Sequence, residues 1–233
     1  MSKLHRFYLP DIELKHDFWL HDERLINQWR RVLRFQPGQE LVLFDGAGED
    51  RLYKLAEITE REAHVQLVTE MSRKVPIREV YLLWALLKKD KNDWVLQKCT
   101  ELGVSHFIPL LTERTEKTGF DAERAHKIVI EAAEQCGRSD IPAVRGPITL
   151  PTAIDELSDK ITLFVCEQSD NLKIENLELK IGQPCGVMVG PEGGWSDVEK
   201  SIFAGKNTKH LNLHDFTLRA ETASIAAVTK LLS

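Results

Sequence analysis

The residues best suited to chemistry are concentrated near the C-terminus. The run Val187-Met188-Val189 leads into Gly190-Pro191-Glu192-Gly193-Gly194-Trp195, and Ser196-Asp197-Val198-Glu199 follows at once. An apolar strand therefore turns through three glycines into a helix whose start is written as a capping box, S-x-x-E. Glycine tolerates positive φ and lets a backbone approach a ligand closely, and a ligand at the carboxyl end of such a strand meets main-chain N–H groups. The chemistry implied is the holding of a small molecule by backbone. No G-K-[ST] follows, so the run is not a P-loop, and its spacing is not G-x-G-x-x-G. Standing alone, it would serve equally as a structural strand-to-helix turn or as a phosphate cradle in an unrelated α/β enzyme. A second segment, Leu218-Arg219-Ala220-Glu221-Thr222-Ala223, opens the last helix after another short strand. His210 and His214 lie between the two segments. On a helix they would share a face, but here the pattern reads as strand and loop with no third ligand nearby, so no metal site is expected.

Loops of this kind need a sheet behind them, and the pattern from residue 79 onward supplies one. Strands are predicted at Val80–Leu87, Val104–Leu110, Ile161–Cys166, Cys185–Val189 and His210–Leu213. Between them, helices are predicted at Asn92–Leu102 (stopped by Gly103), from a cap at Asp121 to Cys136 (ended by Gly137), at Thr152–Leu157, Asp197–Ala204 and Ala220–Leu232. Alternation with near-continuous apolar strands means a parallel sheet covered on both faces. The first 70 residues differ, with short strand candidates at Phe7–Leu9, Glu40–Phe44, Leu52–Leu55 and His64–Val68 and turn residues at Pro37-Gly38 and 45–48. One helix, from about Asp22 to Arg34, interrupts them and places Leu25, Trp29 and Val32/Leu33 on one face. The polar stretch Ser72–Pro76 separates a small β domain, 1–72, from the α/β domain, 77–233.

A chain of 233 residues with a net charge of −5 is an ordinary soluble length and is not one that holds nucleic acid by bulk charge. Residues 151–233 carry 8 basic against 12 acidic side chains, whereas 1–75 carry 12 against 13 and 76–150 carry 11 against 11, so any RNA-contacting surface belongs to the first two thirds. No apolar run approaches the roughly 20 residues that span a bilayer, and the first residues lack the apolar core of a signal peptide, which predicts a cytoplasmic protein with no membrane partner. Cys99, Cys136, Cys166 and Cys185 are widely spaced, form no C-x-x-C pair, and are expected to be buried thiols.

Gly190–Glu199 together with the L-R-A-E-T-A segment resembles the 16S ribosomal RNA (uracil-N3)-methyltransferase family of the SPOUT superfamily. The likeness continues upstream. Lys88-Lys89-Asp90, the stretch Gln97–Val104 and Pro109 are similar to the family's K-x-D…Q-K-x-x-E-L-G-V…P pattern, and Glu131–Arg138 with Pro142 to its E-A-x-E-Q-x-x-R…P pattern. His5–Tyr8, Val32–Arg34 and Gly38 match its opening domain. There are departures: where the family reads L-G-x-R-I-L-R, this chain has Leu213-His214-Asp215-Phe216-Thr217-Leu218-Arg219, and Asn27-Gln28 stand where histidine is usual.

The resemblance implies an N-terminal PUA-like β-barrel, a C-terminal sheet with a trefoil knot in about 161–233, a homodimer, and S-adenosylmethionine as cofactor. It also implies 16S rRNA, within the assembled small ribosomal subunit, as substrate. Cofactor contacts carry over to Cys166, Glu167, Val189, Gly190, Pro191, Glu192, Gly193, Gly194, Leu213, Leu218 and Arg219. Methylating N3 of uracil requires that the imide proton leave and that the charge on O2 or O4 be stabilised. Arg138 and Arg219 are the expected stabilisers, and Glu192 is expected to position the cofactor or orient an arginine. Arg6, Arg30, Arg31 and Arg34 are the expected phosphate-facing handle. The alternative is a non-catalytic RNA-binding relative that has lost cofactor affinity through the His214 and Phe216 departures.

Overall fold

The computed structural model describes residues 4–48, 50–116, 118–167, 182–204 and 206–232. The chain divides into two compact units, Met1–Val75 with Ala133–Ile141, and Pro76–Ala132 with Pro142–Ser233.

In the first unit, β1 (His5–Tyr8), β2 (Asp17–Leu20), β3 (Glu40–Phe44), β4 (Asp50–Ile58) and β5 (Ala63–Met71) form one sheet in the order β1-β3-β4-β5-β2. Only β1–β3 is parallel. Side chains alternate, so Tyr53 and Leu55 of β4 and Ala63 and Val65 of β5 join Leu41 and Leu43 in one core with Leu25, Ile26 and Trp29. β2 escaped the sequence reading because four residues between charged neighbours carry too little periodicity; Phe18 and Leu20 turn inward while Asp17 and Trp19 face solvent. The helix expected from Asp22 does begin there, with Asp22 Oδ1 accepting from the Leu25 N–H at 2.9 Å. It is α-helical only over α1 (Glu23–Asn27) and continues as a π turn over Gln28–Val32. That wider turn keeps Trp29 inside but rotates Val32 outward to 72% exposure, so the expected core position falls to Leu33 alone. Arg34, at φ 55°, ends the segment.

In the second unit, β6 (Val80–Ala85), β7 (His106–Leu111), β8 (Ala143–Val144), β9 (Ile148–Thr149), β10 (Thr162–Cys166), β11 (Cys185–Val189) and β12 (Thr208–Leu211) form a sheet of order β12-β10-β11-β6-β7-β8, with β9 also on β7. Every pairing is parallel, as the apolar strands predicted. β11 is buried along its whole length, and Gly186 within it has a packing reason: a Cβ there would lie 2.6 Å from Leu163 Cδ2. The helices are α2 (Lys89–Leu102), α3 (Ala122–Cys136), whose residues from Ala133 on belong to the first unit, α4 (Leu150–Leu157), α5 (Asp197–Ala204) and α6 (Ala220–Leu232). α2 starts before the expected Asn92, which is instead the buried clamp of the turn. Its Oδ1 accepts from Trp84 Nε1 (2.9 Å) and the Leu87 N–H (3.1 Å), and its Nδ2 donates to the Leu87 carbonyl (3.0 Å). Gly103, at φ 112°, caps α2 with its N–H on the Cys99 carbonyl, as read from sequence. Asp121 accepts from the Arg124 N–H (3.0 Å) at the start of α3. The helix expected at Thr152 starts at Leu150, because Thr149 caps it through the Thr152 N–H.

The cysteine expectation needs correction. Cys99 and Cys185 are buried, but Cys166 is half-buried and Cys136 exposed, since the last residue of α3 faces solvent. Burial pushes the Cys166 thiol up to about 12. The stretch for which a knot is expected, 161–233, includes residues 168–181, 205 and 233, which lie outside the described residues. Among the described residues no helix is long and apolar enough to cross a membrane.

Candidate active site

β12, β10 and β11 are neighbours, and the segments leaving their carboxyl ends begin at Asn212, Glu167 and Gly190. In a parallel sheet such segments leave a crevice. Here they enclose a cavity of about 430 Å³. Cys166, Glu167, Val189, Gly190, Pro191, Glu192, Gly193, Gly194, Leu213 and Leu218, all expected from sequence, line it together. Arg219 does not, although its neighbours Leu218 and Ala220 do. Arg138 belongs to the first unit, where its Nε and Nη2 meet the Asp140 carboxylate at 2.9 and 2.6 Å and the residue is only 6% exposed. The segment after Glu167 lies outside the described residues.

The three glycines have three different reasons. Gly194 alone adopts positive φ, 69°. At Gly190 a Cβ would meet Trp195 Cε2 at 3.0 Å, and at Gly193 it would meet Arg114 Cδ at 3.3 Å. Trp195 is the floor of the loop: 5% exposed, edge-on to Phe203 at 5.2 Å, and donating from Nε1 to the Cys166 carbonyl at 3.1 Å, which ties the β10 exit to the β11 exit. The capping box read from sequence is reciprocal. The Ser196 N–H donates to Glu199 Oε2 (2.8 Å) and the Glu199 N–H to Ser196 Oγ (3.2 Å). The buried Glu199 also accepts from the Glu113 N–H at 3.0 Å, joining the loop to the chain leaving β7.

Charge inside the cavity is mixed. Glu167 is bound by Lys200 Nζ at 2.7 Å and lies 3.0 Å from His210 Nδ1. His214 takes a separate partner, its Nδ1 accepting from the Phe216 N–H at 3.1 Å, so the two histidines do not converge. Sequence reasoning missed Arg114, whose Nη1 donates to the Gly193 carbonyl at 2.6 Å and which lines the cavity. The available signal was position: a cation three residues beyond the carboxyl end of a parallel strand. It also missed Lys91, whose Nζ lies 2.5 Å from Glu192 and 3.6 Å from the buried Glu221. Lys91 thereby links α2, the glycine loop and the start of α6.

The Lys91 hydrogen bond, then its charge, holds the Glu192 carboxyl below the usual carboxylate range. A depressed folded-state value means that the pairing stabilises above the ordinary carboxylate pKa and is lost as pH falls through the folded value. Thermal melting followed from neutral to acid pH should therefore fall more steeply in the wild type than in Lys91→Met, with a small difference because Glu192 is exposed. Parallel curves would show the pair to be energetically idle.

Arg6 is largely withdrawn, pairing with Asp50 Oδ2 at 2.7 Å, lying over the Phe44 ring and donating to the Arg138 carbonyl at 3.1 Å. Arg30 lies 3.6 Å from Glu60, and Arg31 and Arg34 are exposed. Of the expected handle, Arg31 and Arg34 face solvent, and Arg30 is half-buried.

A small β unit and, separately, a parallel sheet with a glycine-lined cavity at its carboxyl edge fit an RNA-modifying methyltransferase. The family profile described as RNA methyltransferase domain matches residues 73–232, and that described as RNA methyltransferase PUA domain matches 30–68. Ribosomal RNA small subunit methyltransferase E of Rickettsia conorii is 31% identical over 225 residues, covering 94% of this chain and 88% of that protein. The Synechocystis protein of the same name is 33% identical over 208 residues, covering 87% and 68%. The crystal structure of ribosomal RNA small subunit methyltransferase E from Neisseria gonorrhoeae, bound to S-adenosylmethionine, superposes with a TM-score of 0.90 at 28% identity, over 98% of this chain and 97% of that one. A putative methyltransferase from Legionella pneumophila, also with bound cofactor, gives 0.88 at 26% identity, over 99% and 97%. This chain belongs to the ribosomal RNA small subunit methyltransferase E family.

Proposed function

We propose that the chain transfers a methyl group from S-adenosylmethionine to N3 of a uridine in 16S ribosomal RNA. The observation that carries this reading is the cavity at the ends of β10, β11 and β12, lined by Gly190, Gly193 and Gly194 and by Val189, Leu213 and Leu218, in a chain of this family. Its donor set fits the cofactor. Val189, Leu213 and Leu218 offer apolar walls for an adenosine, Gly190–Gly194 offer backbone groups, and Glu167 offers a carboxylate to hydroxyl or ammonium. When bound, S-adenosylmethionine supplies an electrophilic methyl at a sulfonium centre. The protein's share is to hold the uracil imide and lower the cost of its deprotonation by placing positive charge near O2 or O4. In this reading Arg114 takes the role that the resemblance implied for Arg138 and Arg219, because it lines the cavity and they do not. Glu192, kept anionic by Lys91, positions the loop. Calorimetry with S-adenosylmethionine on the intact chain should give saturable binding at one site per chain. Absence of binding would favour the non-catalytic RNA-binding alternative.

The proposal extends to an N-terminal PUA-like RNA-binding domain over 1–72, a methyltransferase domain over 77–233 with a trefoil knot in about 161–233, a cytoplasmic setting, and the assembled small subunit as substrate. It includes a homodimer, for which light scattering at micromolar concentration should give twice the chain mass; the mass of one chain would contradict it. Arg30, Arg31 and Arg34 are proposed to meet phosphates. Replacing Arg30 and Arg34 by Ser should leave cofactor affinity intact and flatten the salt dependence of subunit binding by up to about 0.7–0.9 log units per lost contact. An unchanged slope with a slightly lower melting temperature would mean that they only complement the helix dipole.

A further inference from the structure

The segment between β12 and α6 carries an aromatic pair at the rim of the cavity. The His214 and Phe216 rings are stacked, with centroids 5.1 Å apart and planes 25° from parallel, and both residues line the cavity. The pair is built by local hydrogen bonds. Asn212 Oδ1 accepts from the His214 N–H at 3.3 Å, and His214 Nδ1 accepts from the Phe216 N–H at 3.1 Å. Two consecutive side-chain-to-backbone contacts fix a tight turn, so the imidazole supports the phenyl ring from one side. Phe216 nevertheless remains 73% exposed, the highest value among the exposed large apolar side chains of the described residues. A phenyl group held in solvent contributes little to folding. A ligand confined to the cavity can cover only its inward edge.

We infer that His214 and Phe216 form a stacking platform for the target base, with Phe216 receiving the face of the uracil or of its immediate neighbour as that nucleotide leaves its own stack. This deepens the methyltransferase reading of the same cavity and rests on it. Every base has a π-face, and RNA-modifying sites must compensate for unstacking when they take a base out of its helix. Stacking on one aromatic residue is worth about 1–3 kcal/mol by alanine substitution, which corresponds to roughly 5- to 150-fold in affinity. Arg114 contributes a guanidinium to the same cavity, whereas Lys200 is paired there with Glu167.

The test is steady-state methylation of small subunits from a strain lacking the modification, read as 3-methyluridine, with wild type, Phe216→Ala, Phe216→Leu and Phe216→Trp. Calorimetric affinity for S-adenosylmethionine and mass by light scattering are measured on each. The platform predicts that Phe216→Ala raises KM for subunits roughly 10- to 100-fold, with cofactor Kd within about twofold of wild type. Trp should restore KM, and Leu, equally apolar but without a π-face, should not. An active wild type whose KM is indifferent to Phe216→Ala overturns the platform alone. So does an equal loss of cofactor affinity, which would make the ring a cofactor wall, or a change of mass, which would make it a contact with a second copy. A wild type that forms no 3-methyluridine overturns both the platform and the reading beneath it.

Discussion

Trp195→Ala should destabilise the second unit by about 3–5 kcal/mol, the usual cost of truncating a large buried aromatic residue, and should abolish measurable cofactor binding. The indole is packed under Gly190, edge-on to Phe203, and its Nε1 holds the Cys166 carbonyl, so one side chain sets the spacing of two of the three segments around the cavity. Trp195→Phe keeps a ring near Gly190 while removing the hydrogen bond and part of the ring volume. Its expected cost is about 1–3 kcal/mol, from a part-buried hydrogen bond lost together with some packing. Denaturant unfolding gives the stabilities and calorimetry the affinities. If Trp195→Ala were destabilised as predicted but its folded fraction bound cofactor normally, the floor of this cavity would not be the floor of the cofactor site.

Gly193→Val should do the reverse, leaving stability nearly intact while weakening cofactor binding roughly 10- to 100-fold, or about 1.4–2.8 kcal/mol. The new Cβ would sit 3.3 Å from Arg114 Cδ, part of an exposed and flexible side chain that can move aside, and the added methyls would then occupy the cavity rim and displace the guanidinium from the Gly193 carbonyl. The comparison with Gly190→Ala is informative. There the Cβ would meet the rigid Trp195 ring at 3.0 Å, so the penalty should appear first in folding. Normal affinity in folded Gly193→Val would place the cofactor elsewhere.

What the sequence disclosed and what it hid follow from how far each signal reaches along the chain. The parallel sheet was legible because a strand buried on both faces is apolar throughout, as Cys185–Val189 is. Helix ends at Asp121, Gly103 and Ser196 were legible because caps are local, three or four residues wide. The segments expected to hold the cofactor were named through family resemblance, and ten of the eleven positions carried over line one cavity. Arg114 and Lys91 were hidden because each acts across a large sequence separation, on Gly193 and on Glu192, and nothing near them in the chain announces it. The outward turn of Val32 was hidden too, since a π turn leaves no mark in an otherwise helical pattern. Arg6 was expected to face phosphate, yet it is paired with Asp50, 44 residues away.

The central claim is that this chain makes 3-methyluridine in the RNA of the small ribosomal subunit, and nucleoside mass spectrometry of that RNA tests it most directly. In a strain from which the gene is deleted, the account predicts that 3-methyluridine disappears from 16S RNA and returns when the intact chain, but not the Trp195→Ala variant, is supplied. Undiminished 3-methyluridine in the deletion strain would contradict it.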